Sequence, residues 1–293
     1  MRPAARVLLA SCAELPRSNA DDTDLPDVLA EAGITASWAP WDDPAASFGT
    51  ADLVVLRSTW DYPWRRKEFL TWCDSVPALA NPAGIARWNT DKTYLADLAE
   101  RGVPVVPTEL IHPGEPLRSP WQGVDFVLKP SVGASSRGAA RFASGELDGA
   151  VAHLAGLHAD DQVVLVQPYQ RTVDRDGETA LVFLGGTYSH AFVKGAMLPD
   201  PAAPGTGPGE RFGVEPDPAL RRAAEDAMDT AAALHGLRRA DLLYARVDVV
   251  RDEDGSPLLL ELELTEPSLG FGHADPGAKA RFASAVRAAL AAS

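Results

Sequence analysis

The stretch that most constrains this chain covers residues 244–270. Two arms rich in Val and Leu flank Asp254-Gly255, and Asp-Gly between apolar runs is the strongest short hairpin signal. If Asp254 and Gly255 form the loop, Glu253 opposes Ser256 and the register follows. Asp248 then faces Glu261, and Arg246 faces Glu263. Residues two apart on a strand share a face, so all four side chains point the same way. Two carboxylates directly opposite on one face repel each other. A divalent cation removes that conflict, and hard oxygen ligands suit Mg²⁺. The alternative is a solvated outer face carrying cross-strand ion pairs.

The rest of the 293 residues can bury a sizeable core, since 46% are hydrophobic. No apolar run approaches the roughly 18 residues of a membrane span. The basic N-terminus has an apolar run only at residues 7–10 and reads as a first strand, not a signal peptide. Formal charge is −14 and no basic block is present, which argues against a nucleic-acid surface. Anionic ligands must then be held by local Lys, Arg and metal. Cys12 and Cys73 are the only cysteines; they make no framework, and a reducing cytoplasm is the default.

Strands are expected at 5–11, 34–38 and 51–56, with a helix over 24–32 stopped by Gly33. This alternation over residues 1–85 predicts a small open α/β domain. Directly after its third strand come Arg57, Trp60, Asp61 and Tyr62, where open sheets place ligands. Arg57 offers a fork for a carboxylate, Asp61 an anion for an amine, and Trp60 a wall. An aromatic cap on a helix start fits equally well. The loop 12–22 faces the same cleft in this reading.

Asp91-Lys92 precedes a helix over 93–101. Residues 124–142 read as strand, loop, strand, with Lys129-Pro130 ahead of the small-residue loop 131–138. That loop has the Gly133 to Gly138 spacing of a Walker A loop but lacks its Lys-Ser/Thr, and a strand follows, so it is not a P-loop. Its amides and the hydroxyls of Ser135 and Ser136 can still face phosphates. A helix over 144–157 and a strand over 162–166 lead to Gln167-Pro168-Tyr169. Residues 178–194 form a second hairpin turned at Gly185-Gly186, with His190 and Lys194 on one face. Residues 198–213, rich in Pro and Gly, are read as a lid or disordered loop. Helices close the chain at 218–237 and 277–291.

In order, Asp91-Lys92, Lys129-Pro130 with its loop, the Gln167 exit, Glu178, Lys194, Arg246-x-Asp248 and Glu261-x-Glu263 with Pro267 resemble the ATP-grasp superfamily, in the D-alanine–D-alanine ligase and glutathione synthetase branch. The likeness covers residues 85–270. It implies an α/β (α+β) fold: an N-terminal domain over 1–85, a central lid subdomain over 86–166 and a C-terminal subdomain with the metal site over 167–293. It implies that Lys92 and Lys129, with Ser135 and Ser136, meet ATP. Gln167, Pro168 and Tyr169 would lie along adenine and Glu178 near the ribose. Lys194 would reach the transferred phosphoryl group and Arg246 the acyl phosphate. Asp248, Glu261 and Glu263 would hold two Mg²⁺, with Mn²⁺ able to substitute. Relatives usually carry Asn where Glu263 stands and Glu where Gln167 stands.

The activity so implied is ATP-dependent activation of a small amino-acid-like carboxylate as an acyl phosphate, followed by attack of an amine-type nucleophile. Water must be excluded, and the 131–138 and 198–213 segments are the candidate lids. The wording around Arg57, Trp88-Asn89 and Glu261–Leu269 looks most like a small actinobacterial group of D-cycloserine-forming cyclo-ligases, acting on O-ureido-serine in antibiotic biosynthesis. Two alternatives stand beside it, a kinase-like phosphotransferase and a non-catalytic nucleotide-binding module. Dimers are common in the resembled branch, so a homodimer is an expectation; a membrane or nucleic-acid partner is not.

Overall fold

The computed structural model describes residues 5–118, 121, 123–198 and 211–292. Three sheets follow one another along the chain. The first is parallel and built from β1 (Arg6–Ser11), β2 (Thr35–Pro40), β3 (Leu53–Ser58) and β4 (Leu79–Ala80), in the order β2-β1-β3-β4. Its helices are α1 (Leu25–Glu31), α2 (Arg66–Ser75) and α3 (Ala83–Asn89). Every residue of β3 is buried, as an apolar run covered on both faces requires.

Helix α4 (Tyr94–Glu100) leads into the second sheet: β5 (Glu109–Ile111), β6 (Phe126–Pro130), β7 (Ala140–Phe142) and, after α5 (Leu147–Ala159), β8 (Val164–Pro168). The order is β5-β8-β6-β7, all antiparallel. The short α6 (Thr172–Asp176) precedes the third sheet, β9 (Glu178–Leu184), β10 (Thr187–Lys194), β11 (Arg211–Val214), α7 (Pro218–Leu234), β12 (Tyr244–Arg251) and β13 (Pro257–Glu263), closed by α8 (Ala278–Ala292). Its order is β11-β10-β9-β12-β13.

The proline-rich run departs from expectation at its end: residues 199–210 lie outside the described residues, and Arg211–Val214 pairs with β10 as an edge strand. Residues 85–103 also sit elsewhere than chain order suggests. Ile85, Tyr94, Leu95, Leu98 and Val103 share a core with α7 and the third sheet, which Leu165 of β8 joins from the second. Another core joins Val7 and Leu9 of the first sheet to Val182, Phe192 and Phe282, so α8 and α1 lie between the first and third sheets.

The hairpin of β12 and β13 has the expected pairs, Arg246 with Glu263 and Asp248 with Glu261. Its turn is wider than two residues. Pairing ends at Arg251 with Pro257, and the Asp252 amide donates to the Ser256 carbonyl, 3.0 Å. A bulge at Leu260, between the Asp248–Glu261 and Val249–Leu259 pairs, restores the register at the carboxylates. Strand β13 is the sheet's edge, and its outer polar groups are covered. Asn89 donates to the Leu262 carbonyl (2.7 Å) and accepts from the Leu264 amide (2.6 Å). The Leu262 amide donates to the Tyr94 hydroxyl, 2.8 Å, and the Val106 amide to the Leu259 carbonyl, 2.9 Å. An edge so covered cannot recruit a foreign strand, and the face bearing the acids is held rigid.

Candidate active site

A cleft enclosing about 320 Å³ lies where the second and third sheets meet the loop 131–138. Lys92, Lys129, Ser135, Ser136, Gln167, Pro168, Tyr169, Glu178, Lys194, Arg246, Glu261 and Glu263 all line it. The residues expected to share a groove thus come together from both sheets and the loop between them.

Four basic groups interleave with the acids. Lys194 reaches Glu178 at 2.8 Å and Asp248 at 2.7 Å. Arg246 holds Asp248 through Nε (2.9 Å) and Nη2 (3.0 Å), and its Nη2 also donates to Glu263. Lys92 lies 3.3 Å from Glu261 and donates to the Gly133 carbonyl at 2.7 Å, while its amide donates to the Ser131 carbonyl. It therefore ties the small-residue loop to the acidic face. The Lys129 ammonium forms no hydrogen bond or ion pair among the described residues, and burial pushes it down against the pull of Glu261 and Glu178. A half-buried cation with no direct partner in a cleft is suited to an anionic ligand.

Burial pushes the Asp248 carboxyl up, but Arg246 and Lys194 outweigh it and hold it at about 2. Burial likewise opposes Glu261, whose carboxyl Lys92 and Lys129 keep below the ordinary range. Glu263 goes the other way. Burial, joined by Glu261 and Asp248, outweighs Arg246 and takes it to about 7. Oxygens of Asp248, Glu261 and Glu263 all lie within 4.8 Å of one another. Three hard oxygen donors at that spacing, one of them poorly compensated, fit Mg²⁺.

At the far end of the strands, Gln167 donates to the Thr108 hydroxyl, 2.8 Å, and the Tyr169 amide to the Asp125 carbonyl, 2.8 Å. The Arg141 guanidinium covers the Tyr169 ring at 3.6 Å and pairs with Asp125, leaving that ring firmly oriented. Ser135 and Ser136 both take left-handed φ, 54° and 55°, a conformation that non-glycine residues adopt at a cost.

The Arg57 loop is a correction. Arg57 is only 1% exposed; its Nε and Nη2 donate to Asp22 (3.0 and 2.6 Å) and Nη2 to the Pro267 carbonyl (2.9 Å), while its Nη1 is buried without a partner among the described residues. Asp61 accepts from the Trp41 indole, 2.9 Å, and pairs with Arg65. Neither side chain lines the cleft; Trp60 does, together with Tyr62 and Asn19. The strand runs two residues further than expected, so Arg57 is inside β3 and faces packed structure. His190 is also internal, its Nε2 donating to the Leu269 carbonyl, 2.7 Å. Sequence reasoning missed Glu266, which lines the cleft beside Glu263. Its signal was the run Glu261, Glu263, Glu266, three acids in six residues of an otherwise apolar stretch.

Residues 7–83 match the family described as "D-cycloserine synthetase DcsG, N-terminal domain". The chain is 39% identical over 280 residues to the cycloserine biosynthesis protein DcsG of Streptomyces lavendulae, covering 90% of this chain and 93% of the relative. The crystal structure of D-cycloserine synthetase DcsG superposes with a TM-score of 0.89 at 37% identity, covering 98% of this chain and all of that one. D-alanine–D-alanine ligase from Bacillus anthracis shares the fold at 14% identity, TM-score 0.64, over 99% of this chain and 98% of its own. The chain belongs to the DcsG family, ATP-dependent ligases of ATP-grasp fold that form a C–N bond.

Proposed function

We propose that this enzyme closes a ring within one small amino-acid derivative, in the manner of O-ureido-D-serine becoming D-cycloserine. Support comes above all from the likeness to DcsG along nearly the whole chain, at 39% identity. The cleft supplies the chemistry. ATP and the substrate carboxylate meet between Lys129, Lys194 and Arg246, whose charges offset the charge on the transferred phosphoryl group. The γ-phosphoryl passes to the carboxylate, ADP is released, and an acyl phosphate remains. The substrate's own N–O nitrogen attacks that acyl carbon, the C–N bond forms and inorganic phosphate leaves. One water then cleaves the bond between the ring nitrogen and the carbamoyl carbon, the carbamoyl group leaves as CO2 and ammonia, and the ring nitrogen takes the proton.

Asp248, Glu261 and Glu263 would hold two Mg²⁺, for which Mn²⁺ substitutes. The ions neutralise phosphate charge when bound. Arg246 orients Asp248 and Glu263, and Lys194 sets the position of Glu178 and Asp248. Gln167, Pro168 and Tyr169 form the wall for adenine, and the loop bearing Ser135 and Ser136 keeps water from the acyl phosphate. No helix among the described residues is long and apolar enough to cross a membrane. We place the enzyme in the cytoplasm, where ATP is supplied and Cys12 and Cys73 stay free.

The test is incubation with ATP, Mg²⁺ and O-ureido-D-serine, with ADP followed by a coupled assay and products by mass spectrometry. D-Cycloserine formed in step with ADP is the expected result. ADP accompanied by a stable phosphorylated serine derivative would mark a phosphotransferase instead.

A further inference from the structure

The cleft's acids differ in one respect. Glu178 pairs with Lys194, Glu261 with Lys92 and Glu263 with Arg246. Among the described residues Glu266 has no cationic partner within ion-pair distance, although it too lines the cleft. The Tyr62 hydroxyl is within hydrogen-bonding reach of its carboxyl. Trp60 stands beside it, with its indole donating to the Glu266 carbonyl at 3.0 Å. Trp60 thus anchors the backbone at Glu266, and the Glu266 side chain lines the cleft beside Trp60 and Tyr62.

Resting on the reading of the substrate as an amino-acid derivative, we infer that Glu266 binds the substrate's ammonium group. A half-buried carboxylate without a cation is costly, and the cost disappears when a ligand brings one. Aromatic faces at Trp60 and Tyr62 add favourable contact for a cation. Arg246 lies at the same end of the cleft and donates to the Ser268 carbonyl, 3.1 Å, two residues beyond Glu266. An α-amino acid carries its ammonium one carbon from its carboxylate. Arg246 on the activated carboxylate and Glu266 on the amine match that arrangement, and the remaining substituent is left towards the nucleophile's path. Burial and the neighbouring Glu263 hold the Glu266 carboxyl up at about 8, which fits a group whose counter-ion arrives with the ligand.

The experiment compares O-ureido-D-serine with its desamino analogue, in which hydrogen replaces the amino group. Wild type, Glu266→Gln and Glu266→Asp are assayed for ADP release at saturating ATP. Wild type is expected to prefer the amino form strongly. Glu266→Gln should raise KM for it by roughly 10- to 100-fold, the worth of a charged hydrogen bond, keep its KM for ATP, and treat the two compounds alike. Glu266→Asp should recover part of the preference. A Gln variant that retains the full preference while wild type turns over O-ureido-D-serine overturns the assignment of Glu266 alone. A wild type that turns over neither compound overturns the substrate reading, and this assignment with it. The unchanged KM for ATP separates a lost contact from a lost fold.

Discussion

The guanidinium of Arg137 lies over the indole ring of Trp64, 4.2 Å from its centroid. Arg137 belongs to the loop between β6 and β7, whereas Trp64 belongs to the first sheet's side and is 62% exposed. Val132, at the other end of the loop, packs against the core of the first sheet. Two anchors thus fasten a loop that carries two left-handed serines.

Trp64→Ala removes one anchor. An exposed cation–π pair is worth about 0.5–1 kcal/mol, so KM for ATP should rise roughly 2- to 5-fold. The wild-type loop should also be cut more slowly by a protease specific for Arg, at Arg137. Equal cleavage rates and an unchanged KM would show that the stack does not hold the loop.

Glu261→Gln keeps the shape of the side chain but removes a charge from the metal set. Its backbone pairing with Asp248 stays, and Lys92 keeps its bond to the Gly133 carbonyl. Removing even an outer contact to a metal ligand costs 10- to 100-fold in comparable sites, so losing the ligand should cut ADP formation by at least about 100-fold. Thermal unfolding should be nearly unchanged. Normal turnover at low Mg²⁺ would remove Glu261 from the site.

How much of this was legible depends on which interactions carry the information. The Arg246, Asp248, Glu261 and Glu263 face follows from period two and a turn signal, both local. Even there two departures cancelled, since the wider turn and the bulge at Leu260 each shift the register by one. Helix α2 answers to the helix start that the aromatic loop after β3 left as an alternative, whereas α3 has no counterpart in the sequence reading, which starts a helix only after Asp91-Lys92. Asn89 substitutes for a strand along β13, a contact across 173 residues that no local pattern encodes. Arg57 misled for the same reason. Its partner Asp22 lies on a loop 35 residues earlier, and only the folded sheet brings them together. Glu266 is visible in the acidic run with Glu261 and Glu263, but the lack of a partner that singles it out is set by the fold.

The pH dependence of stability should report on Glu266. Its carboxyl stands at about 8 in the folded chain against an ordinary 4.5, chiefly through burial and then Glu263. The folded state therefore keeps a proton that the unfolded state releases. Stability contributed in this way is complete below 4.5, declines as pH rises, and is lost above about 8. Glu263, also raised, shares that sign. Thermal unfolding of the ligand-free protein between about pH 6 and 9 should thus show Tm falling with pH. Glu266→Gln should give a shallower fall, and parallel curves would contradict the burial of this group.

Arg57 makes the last prediction. Its pair with Asp22 has side-chain exposures of 1% and 4%, and it also donates to the Pro267 carbonyl, just past Glu266. Replacing it by Ala leaves the Asp22 carboxylate buried without a cation. Breaking such a pair from one side typically costs about 3–5 kcal/mol, because the charge left behind is not solvated. Arg57→Ala should therefore lower the urea midpoint sharply. Pairing Arg57→Met with Asp22→Asn should restore much of it, since neither charge then remains buried. KM for the amino-acid substrate should change little in whatever fraction stays folded, because Arg57 does not reach the cleft. A variant of near-native stability that has lost substrate affinity would instead return Arg57 to the binding role its place after a buried strand first suggested.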